Sequence, residues 1–131
     1  MDERFGKNYK LCSQKSIEAV FKNGRSVKLY PFVVHFMEQV LPEAQPFQLV
    51  FSAPKRIFRR AHDRNRIKRL LRETFRKKKM LLEDHLRERE MQLALFIIYT
   101  GKEELPLHKL MTKTEQLFDK ITQELKHEKT Q

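Results

Sequence analysis

The chain has 131 residues, 40% of them hydrophobic, one cysteine and a net charge of +11. That length fits one compact domain over residues 1–131 with a core that needs no staples, and residues 1–8 and 127–131 read as flexible tails. The lone Cys12 excludes an intrachain disulfide and reads as a bystander in a reducing compartment; "MDERFGKNYKL" lacks the apolar stretch of a signal peptide and no run approaches 18 apolar residues, so a soluble, cytoplasmic protein is expected.

In chain order, "SQKSIEAVFKNG" predicts a helix. Ser13 can N-cap it, Ile17, Val20 and Phe21 form an i, i+3, i+4 stripe, and Gly24 stands where a C′ glycine belongs. "SVKLYPFVVHFMEQV" is β-branched and aromatic, with Phe32, Val34 and Phe36 alternating against Val33, His35 and Met37. It predicts a strand with one face on the core, Pro31 marking an edge or bulge, or a bend that splits the run in two. "LPEAQP" is a turn, "FQLVFSA" a buried strand and "PKRIFRRAHD" a loop. "RNRIKRLLRETFRKKK" predicts a helix to about Leu82, with room to continue through "EDHLRERE". "QLALFIIYT" is a further strand, and "LPLHKLMTKTEQLFDKITQEL" a last amphipathic helix. The order α-β-β(-β)-α-β-α implies an α+β protein, an α/β sandwich.

The charge is local. From Lys55 to Lys79 there are thirteen Lys and Arg against Asp63 and Glu73, so all of the net +11 lies in 25 consecutive residues and the remainder balances. At 100° per residue, Ile67, Leu70, Leu71, Thr74, Phe75, Leu81 and Leu82 fall within about 80° of one direction, while Asn65, Lys68, Arg69, Arg72, Arg76 and Lys79 fall on the far side. Solvated helix faces usually mix signs at i, i+4, whereas Lys68–Arg72 and Arg72–Arg76 are like-charge pairs. Such a face is the footprint of a polyanion site, and arginine forks suit phosphate. Asn65 could read a base edge or a 2′-OH, or cap the helix locally; the sequence leaves both open.

Catalytic chemistry is hard to find. There is no HExxH, CxxC, G-x-S-x-G or glycine-rich phosphate loop, and the five histidines have no zinc spacing. Glu83, Asp84 and Glu88 read as a solvated helix end, and Asp63, Glu73 and Glu83 do not converge on one face as a two-metal nuclease would need. The chain alone is not expected to be a nuclease.

"RNRIKRLLRETFR" closely resembles the signature run of the bacterial ribonuclease P protein component, here Arg64, Asn65, Arg66, Lys68 and Arg69 followed by Arg72. "FSAPKRIFRRAHD", "IEAVFKNGRSV" and "FVVHF" are similar to that family's flanking segments, in the right order, and the likeness runs from about Tyr9 to Leu125. The resemblance implies a mixed sheet with a left-handed βαβ crossover. It implies a subunit that binds the catalytic RNA of ribonuclease P and the 5′ leader of precursor tRNA, the RNA carrying out the hydrolysis with Mg²⁺ held mainly by its own phosphates. Carried over, the RNA-subunit contacts are Lys55, Arg56, Arg64, Asn65, Arg66, Lys68, Arg69, Arg72 and Arg76. The leader cleft is Phe21, with Ile17 and His35 where aromatic residues are common in the family, and with help from Tyr30 or Phe36. For Phe21, core packing is the competing reading. A ribosomal or ribosome-maturation RNA-binding protein is the alternative function. A DNA-binding regulator is disfavoured because a strand and loop, not a helix-turn-helix, precede the basic run.

Overall fold

In the computed structural model the described residues are 9–11, 13–41 and 44–129, with backbone only for 127–129. Cys12 and the tail expected at 1–8 lie outside them, as do residues 130–131. The elements are α1 (Gln14–Asn23), β1 (Arg25–Leu29), β2 (Phe32–Glu38), β3 (Phe47–Ser52), α2 (Ala61–Glu88), β4 (Leu93–Tyr99) and α3 (Leu107–Lys129). The mixed sheet has the order β1-β2-β4-β3, antiparallel except for β3 beside β4. β3, α2 and β4 therefore form a crossover between adjacent parallel strands. This is the expected α+β class and element order.

The sheet buries both faces against helices. Phe32, Val34 and Phe36 of β2, with Leu93, Leu95, Ile97 and Tyr99 of β4, face α2 and α3 across the larger core. Phe75 of α2 is its hub, in edge contact with Phe32, Phe51 and Phe118 at ring separations of 5.7, 5.1 and 5.4 Å. A smaller core on the other face gathers Leu11, Val20, Leu41 and Ala94, with Ile17, Met37, Val50 and Phe96 packed against them.

Local chemistry explains most element boundaries, and several differ from expectation. Ser13 caps α1, its hydroxyl accepting from the Ser16 N–H at 3.3 Å. Gly24 is not a left-handed C′ residue: its backbone is extended (φ −81°, ψ 176°). Glycine is needed there for close approach instead, since a Cβ would sit 2.3 Å from the Val20 carbonyl oxygen and 2.7 Å from that of Phe36. The run around Pro31 is two strands, with Tyr30 and Pro31 as the turn between them; β2 is an inner strand, so Pro31 marks neither an edge nor a bulge. α2 starts at Ala61, inside the expected loop. Its N-cap, Arg60, makes no side-chain cap, so no Ser, Thr, Asp or Asn announces the start. α2 ends after Glu88 in a Schellman pattern: Met91 N donates to Leu86 O and Glu90 N to Arg87 O, both at 3.1 Å, with Glu90 left-handed at φ 51°.

The buried stripe of α2 also differs from the simple wheel. Its buried residues are Ile67, Leu71, Thr74, Phe75, Lys79, Leu82, Glu83 and Leu86. Leu81, placed on the apolar side by the wheel, is 53% exposed, whereas Lys79, placed among the cations, is 2% exposed. Its ammonium stands 4.7 Å from the Tyr9 ring centroid, and Tyr9 Oη donates to Glu83 Oε1 at 2.5 Å. Glu83 is thus buried, not part of a solvated helix end. Lys78, in the apolar sector, turns outward to Glu115 at 2.5 Å.

Candidate nucleic-acid interface

The loop before α2 is tied down first. Pro54 O accepts from the amides of Ile57 and Phe58 at 3.1 and 3.0 Å, and the Phe58 ring rests 6.0 Å from that of Tyr99. Arg64 reaches back, its Nη1 donating to the carbonyls of Phe58 and Arg59, both at 2.9 Å. The first arginine of the signature run therefore holds the loop that carries Lys55 and Arg56.

Arg66 is also engaged. Its Nε donates to Glu104 Oε1 at 2.7 Å and its Nη2 to Glu104 Oε2 at 3.2 Å, a two-point fork from the loop between β4 and α3. These bonds hold the guanidinium pKa above its ordinary value. Arg76 forks Glu73 one turn back, at 3.1 and 2.5 Å, with Lys77 at 3.9 Å. The hydrogen bond from Arg76 is the chief reason the Glu73 carboxyl is held below its usual range.

The other predicted contacts are open. Among the described residues, Lys55, Arg56, Asn65, Lys68, Arg69 and Arg72 make no side-chain hydrogen bond or ion pair. Asn65 lies more than a turn inside α2, so it is not a helix cap. Asn65, Arg66, Arg69, Arg72 and Arg76 line one open groove together with His62, to which the sequence assigned no role, and Glu73 and Glu104 form its acidic margins. Of these, Arg69 and Arg72, unpaired among the described residues, repel one another in isolation and favour polyanions.

The second surface lies on the opposite face of the sheet. Strand register places Ser26, His35, Phe96 and Val50 in one row across it, and Lys28, Val33, Ile98 and Ser52 in the next. α1 lies over the first row. The Phe21 ring is 4.7 Å from both His35 and Phe96, yet 47% exposed. Core packing and exposure thus coexist at Phe21: one side is seated on two rings and the other faces solvent. Burial lowers the His35 pKa, favouring the neutral imidazole.

Of the other expected cleft residues, Ile17 packs into the smaller core beside Met37, Val50 and Phe96. Tyr30 is exposed in the β1–β2 turn, five residues or about 15 Å of strand from His35, and makes no ring contact with the cluster among the described residues. Phe36 is buried on the α2 side and cannot contribute. Phe96 was missed. Its strand was legible, but its place beside Phe21 depends on the pairing of β2 with β4.

Among the described residues no three His, Cys, Asp or Glu side chains gather where they could bind a cation, and the two carboxylates of the groove are committed to arginines. The residues present do not fit a protein-held Mg²⁺. No helix is long and apolar enough to cross a membrane.

Fold and groove together define an α+β protein with a cationic groove suited to a polyanion. A family model described as Ribonuclease P matches residues 5–122, and the chain belongs to that family. Protein components of ribonuclease P from two strains of Porphyromonas gingivalis are 35% and 39% identical to it over 100 and 101 residues, each match spanning 76% of this chain and 72% of the relative. Its fold is similar to that of the Thermotoga maritima RNase P protein (TM-score 0.68, 22% identity, 85% of this chain and 96% of that one). It is similar also to the Staphylococcus aureus protein (TM-score 0.66, 23% identity, 86% and 94%). The chain is accordingly a protein subunit of ribonuclease P, a tRNA-processing endoribonuclease whose catalytic part is RNA.

Proposed function

We propose that the open cations of α2 and its preceding loop dock on the catalytic RNA, and that the Phe21–His35–Phe96 cluster grips the single-stranded 5′ leader of precursor tRNA, in the cytoplasm. The observation that carries the first part is the set Lys55, Arg56, Lys68, Arg69 and Arg72, without a partner among the described residues. Five phosphate contacts give a log–log salt slope of order −3.5 to −4.5. By neutralising close phosphates the helix lowers the Mg²⁺ needed to fold and hold the RNA, which binds that ion through its own oxygens. The second part is supported by a ring exposed on one side and seated on two others, a platform on which a base stacks for about 1–3 kcal/mol.

The test is cleavage of 5′-labelled precursor tRNA at low Mg²⁺ by the protein alone, by a bacterial ribonuclease P RNA alone, and by both. Cleavage with both only is the expected result. Cleavage by the protein alone would place an active site on this chain. If the protein tightened holoenzyme affinity for precursor and mature tRNA equally, the leader cleft would fall.

A further inference from the structure

Two carboxylates stand at the margins of a groove otherwise built to attract anions, and each takes an arginine by two points. Glu73 belongs to α2 itself, an ordinary i, i+3 neighbour of Arg76. Glu104 does not: it lies 38 positions from Arg66, on a separate loop. That loop is held in place, Tyr99 Oη donating to the Glu103 carbonyl at 2.6 Å and Leu105 packing on the larger core. A carboxylate fork occupies the same Nε and Nη2 donors that a phosphate would use.

We propose that Glu104 is an internal phosphate surrogate: it positions the Arg66 guanidinium toward the groove in the free protein and is displaced by an RNA phosphate on docking. This rests on the reading that α2 docks on the catalytic RNA. The Arg66 side chain is 66% exposed and that of Glu104 38%, so the pair is solvent-screened and adds little to folding. Its effect falls on binding. The paired Arg66 presents no net charge to an approaching polyanion, and the displaced carboxylate is left beside phosphates. Glu104 therefore makes RNA affinity lower and less salt-dependent than the cations alone would give. It acts through Arg66, competing with phosphate for the same guanidinium donors.

The experiment is titration of the full-length protein into a bacterial ribonuclease P RNA across a salt series, with wild type, Glu104→Gln, Glu104→Asp, Glu103→Gln and the double variant Arg69→Glu/Arg72→Glu. Glu104→Gln should bind about three- to five-fold more tightly at low salt, with a slope steeper by up to about 0.7–0.9, because it removes a carboxylate that offsets one of the cations meeting phosphate. Glu104→Asp should stay near wild type. Glu103→Gln removes the same charge one residue away from a side chain without an ion pair among the described residues, and should give less than half the effect. Equal effects of Glu103→Gln and Glu104→Gln, or weaker binding by Glu104→Gln, would overturn the proposal while leaving RNA docking intact. If Arg69→Glu/Arg72→Glu binds as wild type does, the docking reading fails and this inference with it.

Discussion

A methyl group at position 24 has nowhere to go, because the carbonyls of Val20 and Phe36 close on it from the end of α1 and from β2. Gly24→Ala should destabilise the protein by at least about 2 kcal/mol in urea unfolding, through forced backbone movement. An effect under 0.5 kcal/mol would mean that the α1–β1 junction yields easily. Phe96 makes a functional counterpart. Phe96→Leu keeps an apolar side chain under α1 but removes a ring from the Phe21 platform. It should reduce the preference of the holoenzyme for precursor over mature tRNA about five-fold or more, with little change in affinity for the catalytic RNA. Equal losses for both ligands would mean the residue serves only the core. The arginines of the signature run divide in the same residue-specific way. Arg64 and Arg66 look alike in sequence to Arg69 and Arg72, yet the first pair binds protein groups and the second pair none among the described residues.

At the scale of the element, α2 shows what a fixed 100° wheel omits. The row Ile67, Leu71, Phe75, Lys79, Leu82 and Leu86 recurs about every 3.8 residues, against 3.6 per turn, so the buried stripe drifts by roughly 100° along the helix. The drift follows a change of partners. The first half of α2 rests on the sheet, Phe75 reaches α3, and further along Lys79 and Glu83 lie under Tyr9. Adjacent leucines separate the two descriptions. Leu82→Ala should cost about 2–5 kcal/mol, whereas Leu81→Ala should stay within about 0.5 kcal/mol. Comparable costs in thermal unfolding would restore the straight stripe. The helix ends were hidden for a different reason: Arg60 stands at the N-cap without a cap bond, and Glu90 takes the left-handed position where glycine would have marked the stop.

For the whole molecule, two histidines couple stability to pH. Burial is the first cause lowering the pKa of His35, and of His85, where Arg89 and Lys126 lower it further and Glu88 opposes them. The unfolded chain then binds more protons than the native one as pH falls from 6.5, so stability declines over that window and is regained as pH rises through it. The double variant His35→Gln/His85→Gln should show a flatter dependence of urea midpoint on pH below 6.5 than wild type. An unchanged profile would mean that other groups carry it.

The order of elements, the concentration of all net charge in one segment and the greasy stripes of the terminal helices followed from the sequence by itself, because periodicity and charge density are properties of neighbouring residues. The basic run of α2 was legible for the same reason. Only the tertiary structure decided which of its cations remain open, since Arg66 meets Glu104 38 positions away and Glu83, beside the buried Lys79, meets Tyr9 across 74. Only the register of β2 against β4 brought Phe96 to His35, under Phe21. A pairing between distant residues depends on how strands align and where loops are pinned, and those are outcomes of packing the whole chain that no local pattern encodes.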